Sequence, residues 1–219
     1  MNMGMRMPSW YDIVGLDERS NENCKGIEES RAKLEAILEK EHQDTGLPYS
    51  RMVLAGFSQG GALSLYTGLQ LKGGADHKLA GIVVLSGYLP AASKFTITPG
   101  LEDVPVWHGH GTQDALVRPD LADKTKESVT TKGLNSYELH KYPVAHTVDM
   151  NELRDMMGFL QTILPADDSC KIVLKDPSDM SIKELKAAIR KAGLQKDAVG
   201  FTEKREFIQL LNDHRSGKL

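Results

Sequence analysis

The chain has 219 residues, 40% hydrophobic and 26% charged, which suits one globular domain with an appendage and excludes collagen-like, low-complexity and disulfide-scaffold classes. No apolar run approaches the ~18 residues of a membrane span, and Met1, Met3, Met5 and Met7 are interrupted by Asn2, Gly4 and Arg6, so no signal-peptide core is present and a cytoplasmic protein without stable membrane insertion is expected. The formal charge of -3 conceals a division: residues 1–169 carry 16 Lys and Arg against 23 Asp and Glu, residues 170–219 carry 11 against 7, and a boundary near Pro165 follows.

In chain order, Ile27, Ser30, Arg31, Leu34, Ile37 and Leu38 recur at helical spacing and stop near Thr45-Gly46. A short apolar run, Met52 to Ala55, reads as a strand. The residues from Ala62 to Leu71 suit a buried helix ended by Gly73-Gly74. Ala80 to Leu85 reads as a second strand, Pro105 to Trp107 as a third and Tyr137 to Tyr142 as a fourth. Leu121 to Val129 and Leu153 to Leu164 read as helices. Short apolar strands alternating with helices predict an α/β fold whose mostly parallel sheet is covered on both faces.

Gly56-Phe57-Ser58-Gln59-Gly60-Gly61 lies between the first strand and the helix after it. By composition alone a G-x-S-x-G pattern arises about once in ten such chains, so position carries the weight. A nucleophilic serine needs a tight strand-to-helix turn, with glycines where a Cβ would collide. Ser58 then stands at the carboxyl edge of the sheet, and the Gln59 N–H faces charge developing on an oxyanion. Serine also needs a histidine base oriented by a carboxylate, in the order Ser, acid, His. Asp114 follows the third strand and His146 the fourth, which meets that order.

Other candidates fit less well. His108 and His110 belong to the acid-bearing strand end and read as hydrogen-bonded structural residues. His140 falls within a strand pattern, and His42, His77 and His214 fall in polar, solvated surroundings. Asp103 precedes its strand, at the wrong sheet edge, while Asp120 and Asp123 read as first-turn helix carboxylates. Cys24 and Cys170 form no Cys-x-x-Cys pair and imply neither zinc nor a disulfide.

Met7-Pro8-Ser9-Trp10-Tyr11-Asp12, Gly56 to Ala62, Leu85-Ser86-Gly87-Tyr88-Leu89-Pro90, His110-Gly111 with Asp114 and Val117, and His146 together resemble the acyl-protein thioesterase and phospholipase/carboxylesterase family of small α/β-hydrolases, over about residues 7–165. The resemblance implies Ser58 as nucleophile, Asp114 as acid and His146 as base. It implies hydrolysis of S-acylated protein or lipid ester substrates without metal or organic cofactor. Trp10, Leu89 and Leu116 are taken as substrate-binding, and the Met1–Met7 and Leu89-Pro90 segments are candidate linings of an acyl groove.

In that family Met-Pro-Ser-Trp follows the first strands and a His-Gly-x-Gly loop that supplies a second oxyanion donor; this sequence begins almost at Met-Pro-Ser-Trp. The expectation is therefore a hydrolase sheet lacking its first strands, with an exposed flank prone to homodimer formation. Activity is expected to be weakened, since one oxyanion donor is worth about 10²–10³ in rate. The alternative is a catalytically impaired lipid-binding or interaction protein that keeps the triad.

From Lys171 the resemblance stops. Ser181-Ile182-Lys183-Glu184 is a capping-box pattern, with Leu185 and Ile189 on one face and a stop at Gly193. Thr202 is expected to cap a second helix carrying Phe207, Ile208, Leu210 and Leu211. This helix-loop-helix resembles a SAP-type module, a class that includes nucleic-acid binders, and Lys183, Lys186, Arg190, Lys191, Lys204 and Arg205 are candidate phosphate contacts. A solvated basic face on a docking helical pair is preferred over nucleic-acid binding, because a charge of +4 is modest. The expected organisation is a hydrolase domain over 1–165, a linker over 166–179 and the helical module over 180–215.

Overall fold

The structure is a computed structural model that describes residues 8–15, 22–170 and 175–218. The chain divides into two units, Met1–Asp167 and Asp168–Leu219. In the first, α1 (Ile27–Thr45) precedes β1 (Val53–Phe57), α2 (Gln59–Gly68), β2 (Gly81–Leu85), β3 (Val106–Gly111), α3 (Pro119–Thr131), β4 (Tyr137–Tyr142) and α4 (Met150–Ile163). The four strands form a wholly parallel sheet in the order β1-β2-β3-β4. An α/β architecture, as the alternation of apolar segments predicts, is what forms.

Pleating sends alternate residues to opposite faces. Ile82 and Val84 of β2 join a core with Ala62, Leu63, Leu65 and Tyr66 of α2 and Leu69 just after it, which extends to α1 and α3. Val83 and Trp107 point the other way and pack with Phe159, Met156, Leu160 and Ile163 of α4. Hence three helices cover one face and α4 the other. Both central strands are buried almost throughout, but β1 and β4 alternate with exposed positions such as Ala55, Glu138 and Lys141. They are the edges of this sheet, so they do not share the two-sided cover expected of every strand.

The element ends differ from expectation for local reasons. β1 runs on to Phe57 and α2 begins at Gln59, because Ser58 itself is the N-cap. β3 extends to Gly111, since its backbone pairs in parallel with β4 as far as Gly111 opposite Tyr142. α4 starts earlier, at Met150. Asp149 caps it in a box with Glu152: Asp149 Oδ1 accepts from the Asn151 and Glu152 N–H groups, and Glu152 Oε2 accepts from the Asp149 N–H. Asp120 lies in the first turn of α3 as expected, whereas Asp123 pairs with Lys141 of β4.

The second unit holds α5 (Ile182–Lys191) and α6 (Lys204–Arg215), in contact with each other. Met180, Leu185, Ile189, Phe207, Leu210 and Leu211 form its core. Ser181 and Glu184 make the expected capping box, and the backbone N–H of Ser181 draws the Glu184 carboxyl down to about 2. α6 is capped at Glu203 rather than Thr202, because the Glu206 carboxylate gathers the N–H groups of both residues. Among the six basic candidates, Lys186 lies over the Phe207 ring, Lys204 donates to the Ser178 carbonyl and Arg205 pairs with Glu203.

Candidate active site

Gly56 and Gly61 let β1 turn directly into α2. A Cβ on Gly56 would lie 2.2 Å from the Gly60 carbonyl carbon, and one on Gly61 would lie 2.7 Å from the Gly56 oxygen. Ser58, between them, has φ 54 and ψ -120, a conformation that non-glycine residues avoid. Its N–H donates to the Leu85 carbonyl of β2, which fastens the turn to the sheet. The strain aims the Ser58 hydroxyl away from the helix it caps.

The loops after β3 and β4 meet that hydroxyl. His146 Nε2 lies 2.9 Å from Ser58 Oγ, and His146 Nδ1 lies 2.6 Å from Asp114 Oδ2. A carboxylate only accepts, so Nδ1 carries the proton and Nε2 is left to accept from serine. The other Asp114 oxygen, Oδ1, accepts from the N–H groups of Leu116 and Val117 at 2.9 and 2.8 Å. Asp114 is thereby buried and held by backbone, while His146 stays partly open to solvent. This arrangement can deprotonate a serine hydroxyl during attack and return the proton to a leaving group.

Gln59 is the first residue of α2, so its N–H has no carbonyl one turn back to bind. Its side chain bridges to the chain's beginning: Oε1 accepts from the Trp10 N–H at 3.0 Å and Nε2 donates to the Tyr11 carbonyl at 2.8 Å. Trp10 is 43% exposed next to that bridge, and Leu116 is 52% exposed beside Asp114. Leu89 is instead buried, donating its N–H to Thr125 Oγ1, and it borders a hollow of about 400 Å³ against α3 that no triad residue lines. The Met1–Met7 segment lies outside the described residues.

His42 and His77, expected in solvated surroundings, are half-buried against Tyr49: His77 stacks on its ring at 4.1 Å and His42 sits at 5.6 Å. Sequence reasoning also passed over Phe57, whose ring centre is 4.8 Å from that of His146. An aromatic residue between the elbow glycine and its serine is the signal that points to it. Among the described residues no group of three or more His, Cys, Asp or Glu is placed to hold a metal ion.

Residues 1–164 match the phospholipase/carboxylesterase family. The chain belongs to that family. It is 38% identical to acyl-protein thioesterase 1 of Neurospora crassa over 174 residues, which span 75% of this chain and 69% of that protein. It is 34% identical to acyl-protein thioesterase 1 homolog 1 of Dictyostelium discoideum, over 75% and 72% of the two chains. The crystal structure of SOBER1 from Arabidopsis thaliana superposes with a TM-score of 0.64 at 26% identity, covering 74% of this chain and 77% of that one. Family membership makes the chain a carboxylesterase- or thioesterase-type hydrolase by descent. No helix among the described residues is long and apolar enough to cross a membrane.

Proposed function

We propose that the chain hydrolyses acyl thioesters of S-acylated protein cysteines, or carboxylic esters such as lysophospholipids, through an acyl-Ser58 intermediate. The continuous contact of Asp114, His146 and Ser58 at 2.6 and 2.9 Å supports this most directly. Ser58 Oγ attacks the acyl carbon as His146 Nε2 takes its proton. Asp114 holds His146 in the required tautomer and offsets the imidazolium charge. The Gln59 N–H, at the positive end of α2, stabilises the oxyanion. Collapse expels the thiol or alcohol, which receives the proton from His146, and a water activated by the same imidazole then frees the acid.

Half-exposed Trp10, Phe57 and Leu116 offer apolar surface for an acyl chain around the serine. Turnover of a palmitoylated cysteine peptide, measured beside short-chain and long-chain oxyesters, tests the proposal. Hydrolysis abolished in Ser58→Ala supports it, and a preference for the thioester identifies protein depalmitoylation. A folded chain inert towards all of these overturns it and favours a lipid-binding or interaction role.

A further inference from the structure

Beside the acid loop lies a buried line of polar side chains that takes no part in the proton transfers of the triad. Tyr137 Oη is 2.6 Å from His108 Nδ1, His108 Nε2 is 3.2 Å from His110 Nδ1, and His110 Nε2 is 2.8 Å from the Val117 carbonyl oxygen. Both histidines are fully buried. The same His110 Nε2 stands 3.7 Å from Asp114 Oδ2, the oxygen that holds His146.

The far end fixes the direction of every bond. A carbonyl oxygen only accepts, so His110 carries its proton on Nε2, and a neutral ring then leaves Nδ1 as an acceptor. His108 must donate from Nε2, its Nδ1 must accept, and Tyr137 must donate. The sequence of bonds therefore runs one way, from Tyr137 to the Val117 carbonyl. Burial favours the neutral imidazole, and both rings are held below the ordinary histidine range chiefly by desolvation. The chain ends with a positive N–H dipole beside the carboxylate.

We propose that His110 is a positioning residue of the Ser58 site, oriented by His108 and Tyr137, which anchors the Val117 end of the acid loop and places an N–H dipole next to Asp114. This rests on Asp114 being the triad acid. Val117 is held twice, its carbonyl by His110 and its N–H by Asp114 Oδ1, so the loop and the carboxylate it carries share one anchor. The N–H dipole withdraws part of the carboxylate's pull on the His146 imidazolium. The charged and titratable groups facing His110 are Asp114 from the acid loop, His146 from the loop after β4, Lys141 from β4 and His108 from β3.

Two measurements test this. Long-range ¹H–¹⁵N spectra of the full chain should show His108 and His110 as neutral Nε2–H tautomers from about pH 5 to about pH 8, a window in which an ordinary histidine titrates. A His110 signal of the Nδ1–H type, or one that titrates there, overturns the proposal whether or not the chain is an esterase. In kinetics normalised to reactive serine, His110→Leu should lower kcat about tenfold to a hundredfold, as expected for a loosened acid. It should also move the acid limb of the kcat/KM profile up by about half a pH unit, because Asp114 becomes a stronger counter-charge. His110→Gln, which keeps a donor towards Val117, should leave the limb in place. An unmoved limb with unchanged kcat in His110→Leu assigns the ring to packing alone and refutes the proposal. Should His110→Leu fail to fold, the wild-type spectrum decides. Absence of any ester or thioester turnover in the wild type would count against the functional proposal and leave the tautomer result standing.

Discussion

Gly56 and Gly60 approach so closely that a side chain on the first would meet the backbone of the second, with a Cβ 2.2 Å from the Gly60 carbonyl carbon. That approach makes the turn from β1 to α2 tight enough to hold Ser58 at positive φ. Since backbone cannot yield as a flexible side chain does, Gly56→Ala is expected to cost about 3 kcal/mol or more, the range reached when overpacking combines with backbone strain. Urea unfolding of the variant measures this. A loss under about 1 kcal/mol would show that the turn relaxes more readily than the geometry implies.

Asp114→Asn should preserve the acid loop, because the amide oxygen can still accept from the Leu116 and Val117 N–H groups. The amide nitrogen would then face His146 Nδ1 and favour the tautomer in which Nε2 is protonated and cannot accept from serine. A fall in kcat of about 10³–10⁴ with little change in KM is expected. Steady-state kinetics on a thioester substrate provides the check; a variant retaining most of its kcat would remove Asp114 from the triad.

The elbow, the order Ser58, Asp114, His146 and the strand-helix alternation were all legible in the sequence, because each depends on local residue type or chain order. That His108 and His110 are hydrogen-bonded was legible too, but their joining with Tyr137 in one line was not. It depends on side-by-side register, His108 opposite Leu139 and His110 opposite Lys141, and that appears only when β3 and β4 pair. The thin cover of β1 was hidden for a similar reason, since its apolar residues resemble those of a central strand, whereas Glu138, His140 and Lys141 already mark β4 as partly solvated. Leu89 shows a different limit: its place within a family-like segment says nothing of whether it faces a cleft or the core, and it is buried.

His108 and His110 also bear on acid stability. Their ionisation is depressed in the folded protein by burial, while in the unfolded chain each returns to about 6.5. A depressed value means the unfolded state binds protons first as the pH falls. The stabilisation is therefore present above about pH 6.5 and is lost below it, at a limiting slope of about 1.4 kcal/mol per pH unit for each group. Urea midpoints between pH 7.5 and 5, taken as about those limits, should fall in the wild type and fall less steeply in His108→Gln. Parallel slopes would show that His108 does not titrate differently on unfolding.

Glu152 carries the opposite sign. It is fully buried, its Oε1 has no hydrogen-bond partner among the described residues, and burial raises its carboxyl above the ordinary range. A raised value means that the folded state favours the protonated acid. Its contribution is thus present at low pH and lost as the pH rises through the folded value. Glu152→Gln keeps an oxygen for the Asp149 N–H and removes the charge, so its Tm relative to wild type should be more favourable at pH 8 than at pH 5, both approximate settings. An equal difference at both settings would contradict that assignment.

Ser58, His146 and Asp114 form one hydrogen-bonded constellation, and its competence as a nucleophilic site is open to direct test. A fluorophosphonate probe tests it most directly, because it reacts only with an activated serine, and intact mass with peptide mapping locates the adduct. Rapid single labelling on Ser58, abolished in Ser58→Ala and reduced by about 10³ or more in His146→Ala, is the predicted result. Folded wild-type protein that remains unlabelled, or labelling that survives in Ser58→Ala, would contradict it.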